Sequence, residues 1–388
     1  MTSRRLRHDL FSGCLAVILA CCFVCSVSAA DFDLSVSLAD AHCDRAPSPL
    51  FFPCVMVDTT AGSRIKADSE MTVYSSAIHP DVIEIPGGWN RHRYWASFSP
   101  YPHLVTGMGN ENPHVVCSDD GVHWTNQVGK RRKQIIRNPI DRRNRANRYT
   151  HLSDPDLLMD ADSTMWVLYR AKFGTRPDTV LFVASGSKDG RVWSRPMVVV
   201  SGLTRPDLRH EDAGLSPSIL RLKGRYHLWY INAQSQPHRI FHLVSDSLQS
   251  GWQSADSTDL GNNQPVRGDI WHMNVLQSPD GSLLGLFTFT DSATHGENCK
   301  LRLAYSADDG TSWTLAPQWL LEHAADRNAW DGNQIYRSGG SFQKQDSGWV
   351  FNLYYSAMRL GKVPIWSTGL TTVHFDRFDN VDSTGNFR

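Results

Sequence analysis

A chain of 388 residues with 39 Lys+Arg and 39 Asp+Glu carries no formal net charge. That balance argues against a general nucleic-acid binder, which needs an excess of cations to meet phosphates. With 41% hydrophobic residues and 13 Trp, the chain holds ample core for one large domain or two small ones.

Residues 1–30 read as a secretory leader. Arg4, Arg5 and Arg7 precede an apolar stretch over 11–27, and Ser28-Ala29-Ala30 offers a small-residue cleavage site before Asp31. An uncleaved anchor is the alternative, since the apolar run is near the lower length limit for a spanning helix. The mature protein is expected to be secreted or periplasmic, with no stable membrane insertion. Four of the eight cysteines leave with the leader, and Cys43, Cys54, Cys117 and Cys299 remain. In an oxidising compartment Cys43 and Cys54 can staple an N-terminal arm over 31–70. Cys117 sits in a strand pattern as a small apolar residue. No Cys/His spacing suggests a zinc site.

From residue 71 onward one order recurs five times. Unit one has apolar-alternating segments over 79–85, 94–98 and 113–124; unit two over 154–158, 165–169 and 180–193; unit three over 216–220, 226–230 and 240–252. Unit four follows over 273–276, 283–287 and 301–313, and unit five over 333–336, 349–354 and 365–373. A basic stretch at 130–148 separates the first two units and reads as a solvated insert, with contact to an anionic surface as the functional alternative. The third segments carry one turn: Ser118-Asp119-Asp120-Gly121, Ser187-Lys188-Asp189-Gly190 and Ser306-Ala307-Asp308-Asp309-Gly310, each with Trp three residues beyond. Ser245-Asp246-Ser247-Leu248-Gln249-Ser250-Gly251 is a degenerate fourth. Asp bonds its own backbone there and Gly takes positive φ, which makes the turn structural. Strand-bearing units at spacings of roughly 60 residues predict an all-β, five-bladed β-propeller of about four antiparallel strands per blade, over 71–388.

In a propeller the innermost strands line the channel, and their first residues stand at one rim. These positions offer His79 and Asp81, Asp154 and Asp156, Ser216 and Ser218 with Glu211 upstream, Trp271 and His272, and Trp330 and Asp331. Carboxylates and aromatics converging on one funnel suit glycoside hydrolysis, in which one acid protonates the leaving oxygen and one base activates water.

Unit two, from His151-Leu152-Ser153-Asp154-Pro155-Asp156 through Trp166-Val167-Leu168-Tyr169, resembles the second blade of the five-bladed glycoside hydrolases of the arabinanase and β-xylosidase group. The resemblance covers most of 75–375 in architecture but is close in motif only in unit two. It implies a glycoside hydrolase with a carbohydrate substrate and with Asp154 as pKa modulator; the leader makes that enzyme an exported one, and a separation of about 6.5–9.5 Å between the base and acid carboxyls would make it inverting. The family's base is an Asp before Pro in blade one, where this chain has His79-Pro80-Asp81, so Asp81 is the substitute. The family's acid lies two residues before a Pro in blade three; Leu215 occupies that position, and Glu211 is the nearest candidate. Glu111, in a Glu-x-Pro of unit one, is the runner-up. Asp156, Trp271, His272 and Asp331 complete the expected substrate-binding set. No cofactor is expected, and no ligand cluster in the sequence assigns a metal. A non-catalytic carbohydrate-binding propeller and a glycoside phosphorylase are the alternatives.

Overall fold

The computed structural model describes residues 32–53, 77–101, 111, 113–126, 151–173, 179–203, 213–233, 237–255, 269–290, 298–345, 348–361 and 364–375. The leader, Cys54, the 130–148 insert and Glu211 lie outside the described residues. Among those described, no helix is long and apolar enough to cross a membrane.

The chain is a five-bladed β-propeller. An N-terminal arm contributes α1 (Leu34–Ser37) and β1 (His42–Cys43). Blade one is β2 (Ala77–Trp89), β3 (His92–Pro100) and β4 (His114–Ser118), extended by a bridge between Cys117 and Thr125. Blade two is β5 (His151–Met159), β6 (Met165–Phe173), β7 (Thr179–Ser187) and β8 (Met197–Val200). Blade three is β9 (Leu215–Leu222), β10 (Arg225–Asn232), β11 (Arg239–Ser245) and β12 (Gln253–Ser254). Blade four is β13 (Asp269–Gln277), β14 (Leu283–Thr290), β15 (Lys300–Ser306) and β16 (Thr314–Leu315). Blade five is β17 (Gln334–Gln345), β18 (Gly348–Arg359) and β19 (Ile365–His374). All pairings are antiparallel. The arm strand β1 pairs with β19, so the N-terminal arm supplies the outer strand of the last blade. Arg45 fastens this closure by donating to Asp331 and to the carbonyls of Glu322 and His323.

The apolar side chains pack between blades rather than at the axis. One cluster joins blades one and two around Trp95, Leu157 and Val167, and the others repeat this arrangement around the ring. The Asp turns serve the same contacts. Gly190 of blade two has φ +69°, and a Cβ there would stand 2.2 Å from the Trp95 ring of blade one; Gly310 of blade four meets Trp229 of blade three in the same way. With Gly121 against Tyr354 of blade five, the glycine of each of the three full turns seats on an aromatic of the preceding blade, a contact between blades that the single-hairpin reading of the motif does not contain.

Every inner strand carries one surplus residue at the same level. His79-Pro80 stand opposite Phe98 alone, Asp154-Pro155 opposite Tyr169, Ser216-Pro217 opposite Tyr230 and Tyr336-Arg337 opposite Ser356; in blade four the surplus residue is Trp271. Proline lacks the N–H a regular ladder needs, so X-Pro is tolerated here because a bulge leaves that position unpaired. The bulged residues His79, Asp154 and Ser216 adopt left-handed φ of 55°, 51° and 47°. Such backbone costs about 1–3 kcal/mol per residue.

Candidate active site

The bulges turn side chains of successive blades inward at one mouth of the channel. His79 Nε2 lies 3.5 Å from Asp154 Oδ1, and His272 Nδ1 lies 3.5 Å from the same oxygen. All three side chains are buried, and one ligand-capable atom from each falls within 4.8 Å of the others. Both His79 nitrogens, Asp154 Oδ1 and His272 Nε2 are buried with no hydrogen-bond partner among the described residues. The other Asp154 oxygen accepts from Ser153 Oγ at 2.8 Å.

Burial pushes the His79 imidazole down to about 4, opposed by Asp154 and reinforced by Arg337 and Arg170. Burial also drives His272 well down, with His79 adding to the effect. Asp154 is held low: burial opposes its ionisation, but His79, His272, Arg337 and Arg170 outweigh that opposition. These shifts pull against each other, because the imidazoles stabilise the carboxylate only as cations. Burial keeps them neutral near pH 7, so the Asp154 charge then rests on the two arginines. Neutral imidazole and ionised carboxylate are the forms that ligate a divalent cation. Two histidines and one carboxylate fit such an ion: His79 Nε2 and Asp154 Oδ1 converge without hydrogen-bond partners, and His272 turns its Nδ1 to the same oxygen; three protein ligands leave positions open, as catalytic rather than structural sites do.

Ser216 Oγ is hydrogen-bonded to His272 Nδ1. A serine charge relay needs serine and carboxylate on opposite imidazole nitrogens. Here Ser216 and Asp154 both face Nδ1, and a relay cannot form.

Glu111 is buried beside the cluster, on the residue whose carbonyl accepts from Leu152 N. Burial, with the Asp154 charge adding, raises its pKa to about 8 against the pull of Arg170. An aromatic wall borders the group. Tyr336 lies 4.1 Å from His272 and 5.4 Å from His79, ring to ring. Trp271 Nε1 donates to Tyr336 Oη at 3.2 Å, and Trp366 and Tyr101 continue the wall. Trp271 and Tyr336 are half-buried.

The expected residues thus fall into distinct places. Asp154, His272 and Trp271 meet at the mouth, with Glu111 beside them. Asp81 and Asp156 lie one step further down the channel as ties between blades. Asp81 accepts from Leu157 N at 2.7 Å and from Asn274 Nδ2 at 2.8 Å; Asp156 accepts from Ile219 N and from Arg337. Burial raises Asp81, and burial with the nearby Asp81 charge raises Asp156, while Arg337 opposes both. Below them the channel holds a cavity of about 260 Å³ that Leu220, Leu276 and Phe342 also line. Asp331 is bonded to Arg45 and Tyr355 at the arm and is not brought to the cluster. His79, read from the sequence only as a rim residue, is the member whose role the sequence did not announce. Its signal is positional: His79-Pro80-Asp81, Asp154-Pro155-Asp156 and Ser216-Pro217-Ser218 occupy equivalent bulges.

No protein-family model matches the chain. The N-acetyl-α-D-galactosamine deacetylase of Flavonifractor plautii, which acts on A-type blood antigen by its name, is 25% identical over 401 aligned residues, 92% of this chain and 47% of that protein. The chain spans about half the length of this curated relative. A crystal structure of an N-acetylgalactosamine deacetylase from F. plautii, in complex with blood group B trisaccharide, superposes with TM-score 0.66 at 21% identity, covering 89% of this chain and all of that one. A structure from a family of mannoside phosphorylases that contains glycoside hydrolases targeting β-1,2 mannosidic linkages superposes with TM-score 0.52 at 13% identity, covering 78% and 85% of the two chains. The five-bladed fold is therefore one shared with carbohydrate-active enzymes. The expectation of a glycoside hydrolase meets a relative by sequence that is a deacetylase.

Proposed function

We propose that this chain is a metal-dependent deacetylase that removes the acetyl group from an N-acetylated sugar. The observation that carries this reading is the convergence of His79, Asp154 and His272, with His79 Nε2 and Asp154 Oδ1 buried and left without hydrogen-bond partners among the described residues. The sequence relative named as a deacetylase supports it. When bound at these residues, a divalent cation supplies Lewis-acid polarisation of an amide carbonyl and of water. Trp271 and Tyr336 offer faces for the sugar ring. Glu111 is the proton shuttle: a cation held at the cluster would favour its ionised form, which takes a proton from the attacking water as the C–O bond forms, then gives one to the amide nitrogen as the C–N bond breaks. The products are acetate and the free amino sugar. Asp81 and Asp156 hold blades together in this reading, and export through residues 1–30 brings the enzyme to extracellular glycans.

Glycoside hydrolysis or phosphorolysis is the second reading, favoured by the proximity of the Glu111 and Asp154 carboxyls. Purified protein, stripped with chelator and reloaded with single divalent metals, is incubated with N-acetylhexosamine-terminated oligosaccharides. Metal-dependent release of acetate with appearance of a primary amine is expected. Release of reducing sugar without acetate, or sugar phosphate when phosphate is added, would replace the deacetylase reading. Saturable oligosaccharide binding with no product would leave a binding propeller.

A further inference from the structure

Arg337, on β17 of blade five, has no exposed surface. Its Nη1 donates to Pro155 O at 2.9 Å, its Nη2 to Pro217 O at 3.0 Å, and its Nε to Met273 O at 3.2 Å. Nη2 also donates to Asp156 Oδ1 at 2.7 Å. The three carbonyls share a property. Each belongs to the residue directly after Asp154, Ser216 or His272, in a strand where the bulge breaks the ladder. Two residues along β17, Gly339 abuts the remaining bulge: a Cβ there would stand 2.5 Å from Pro80 O and 2.9 Å from Asp81 Cα. One short segment of blade five thus touches the bulges of the other four blades.

We propose that the Arg337–Gly339 segment is the positioning device of the site: the Arg337 guanidinium fixes the bulges that present Asp154, Ser216 and His272, and Gly339 lets β17 close on the bulge that presents His79. The proposal rests on reading the cluster as a metal centre. The plainer role for Arg337 is to neutralise Asp156, but one contact satisfies that and a lysine ammonium would serve. Capture of three carbonyls on three strands needs a planar group with several fixed donors, which only guanidinium provides. Left-handed residues at Asp154 and Ser216 store strain, and strained backbone persists only where its surroundings over-determine it. Arg337 is what over-determines it here. Ligand geometry is thereby set by groups that never touch the metal, and loss of such outer contacts typically weakens metal affinity by about 10–100-fold.

The test measures Zn²⁺ affinity by competition titration and the visible spectrum of the Co²⁺-loaded protein, for wild type, Arg337→Lys, Gly339→Ala and Asp156→Asn. Folding of each is monitored by circular dichroism. Arg337→Lys and Gly339→Ala are expected to weaken Zn²⁺ binding by about 10–100-fold and to alter the Co²⁺ spectrum. Asp156→Asn, which leaves the three carbonyl contacts in place, should keep both near wild type. A folded Arg337→Lys protein with wild-type affinity and spectrum would overturn the proposal, as would equal losses in Arg337→Lys and Asp156→Asn. Should Arg337→Lys fail to fold, Gly339→Ala decides: unchanged affinity in that variant overturns the proposal. No metal uptake by the wild type would instead remove the metal-centre reading itself.

Discussion

His79 and Asp154 hold equivalent places in neighbouring blades, both with left-handed φ and both followed by proline, and they meet at 3.5 Å. Two blades with the same bulge therefore present an imidazole and a carboxylate to one point, and blade four adds His272. Hairpins alone would turn these side chains across the sheet. The bulges, not the strands, make the site.

Among the described residues, the charge partners of Asp154 that survive if the histidines stay neutral are Arg337 and Arg170. Asp154→Asn is expected to lower divalent-metal affinity by more than about 100-fold and to abolish turnover. Its melting temperature without metal should be unchanged or higher, because a buried charge is removed. Isothermal titration and calorimetry check both. Wild-type metal affinity in this variant would remove Asp154 from the ligand set.

Glu111 carries a pH signature. Its folded pKa is raised from 4.5 to about 8, so the folded state favours the protonated form. The resulting stability relative to an unshifted carboxyl is complete below the unfolded pKa and is lost as pH climbs towards 8. Without metal, Glu111→Gln should melt with the wild type near pH 5 and above it near pH 8.5. The same substitution should reduce kcat by about 10²–10⁴-fold, the usual worth of a proton shuttle. Parallel melting curves across that pH range would place the Glu111 carboxyl in solvent.

Trp271 tests the aromatic wall. Trp271→Ala removes a half-exposed ring and the donor that holds Tyr336 Oη. Stacking contacts of this kind contribute about 0.5–1.5 kcal/mol, so KM should rise by up to roughly tenfold with kcat little changed. A fall in kcat at constant KM would move Trp271 from sugar binding to ligand orientation.

The turn motif predicts a contrast in stability. Gly190→Ala forces a methyl against the Trp95 ring at positive φ, and left-handed strain plus overpacking should cost roughly 2–4 kcal/mol. Gly202 also has positive φ, but a Cβ there meets nothing within 4 Å; Gly202→Ala should cost only about 1–2 kcal/mol. Denaturant unfolding of the two variants gives the comparison. Equal losses would show that the blade-to-blade contact contributes nothing.

Five copies of one strand order, with Ser-x-Asp-Gly turns, were legible as a five-bladed propeller because strand alternation and turn chemistry are local properties of the chain. The same local reading placed Asp154, His272 and Trp271 at the rim, since the first residues of inner strands must lie there. It gave no means of separating Asp154 from Asp156 or His79 from Asp81, which stand two apart and would share a face of a regular strand. The one-residue surplus in each inner strand separates them, sending the first member of each pair to the mouth and the second to the neighbouring blade's backbone.

Sequence determined the architecture, and with it the five rim positions, because period and turn type depend on neighbours a few residues apart. Only the tertiary structure decided which rim residues form a site. His79, Asp154, His272 and the arginine beneath them come from four different blades, and their meeting depends on how closing the ring brings together strands as far apart in the chain as Asp156 and Arg337, 181 residues from each other.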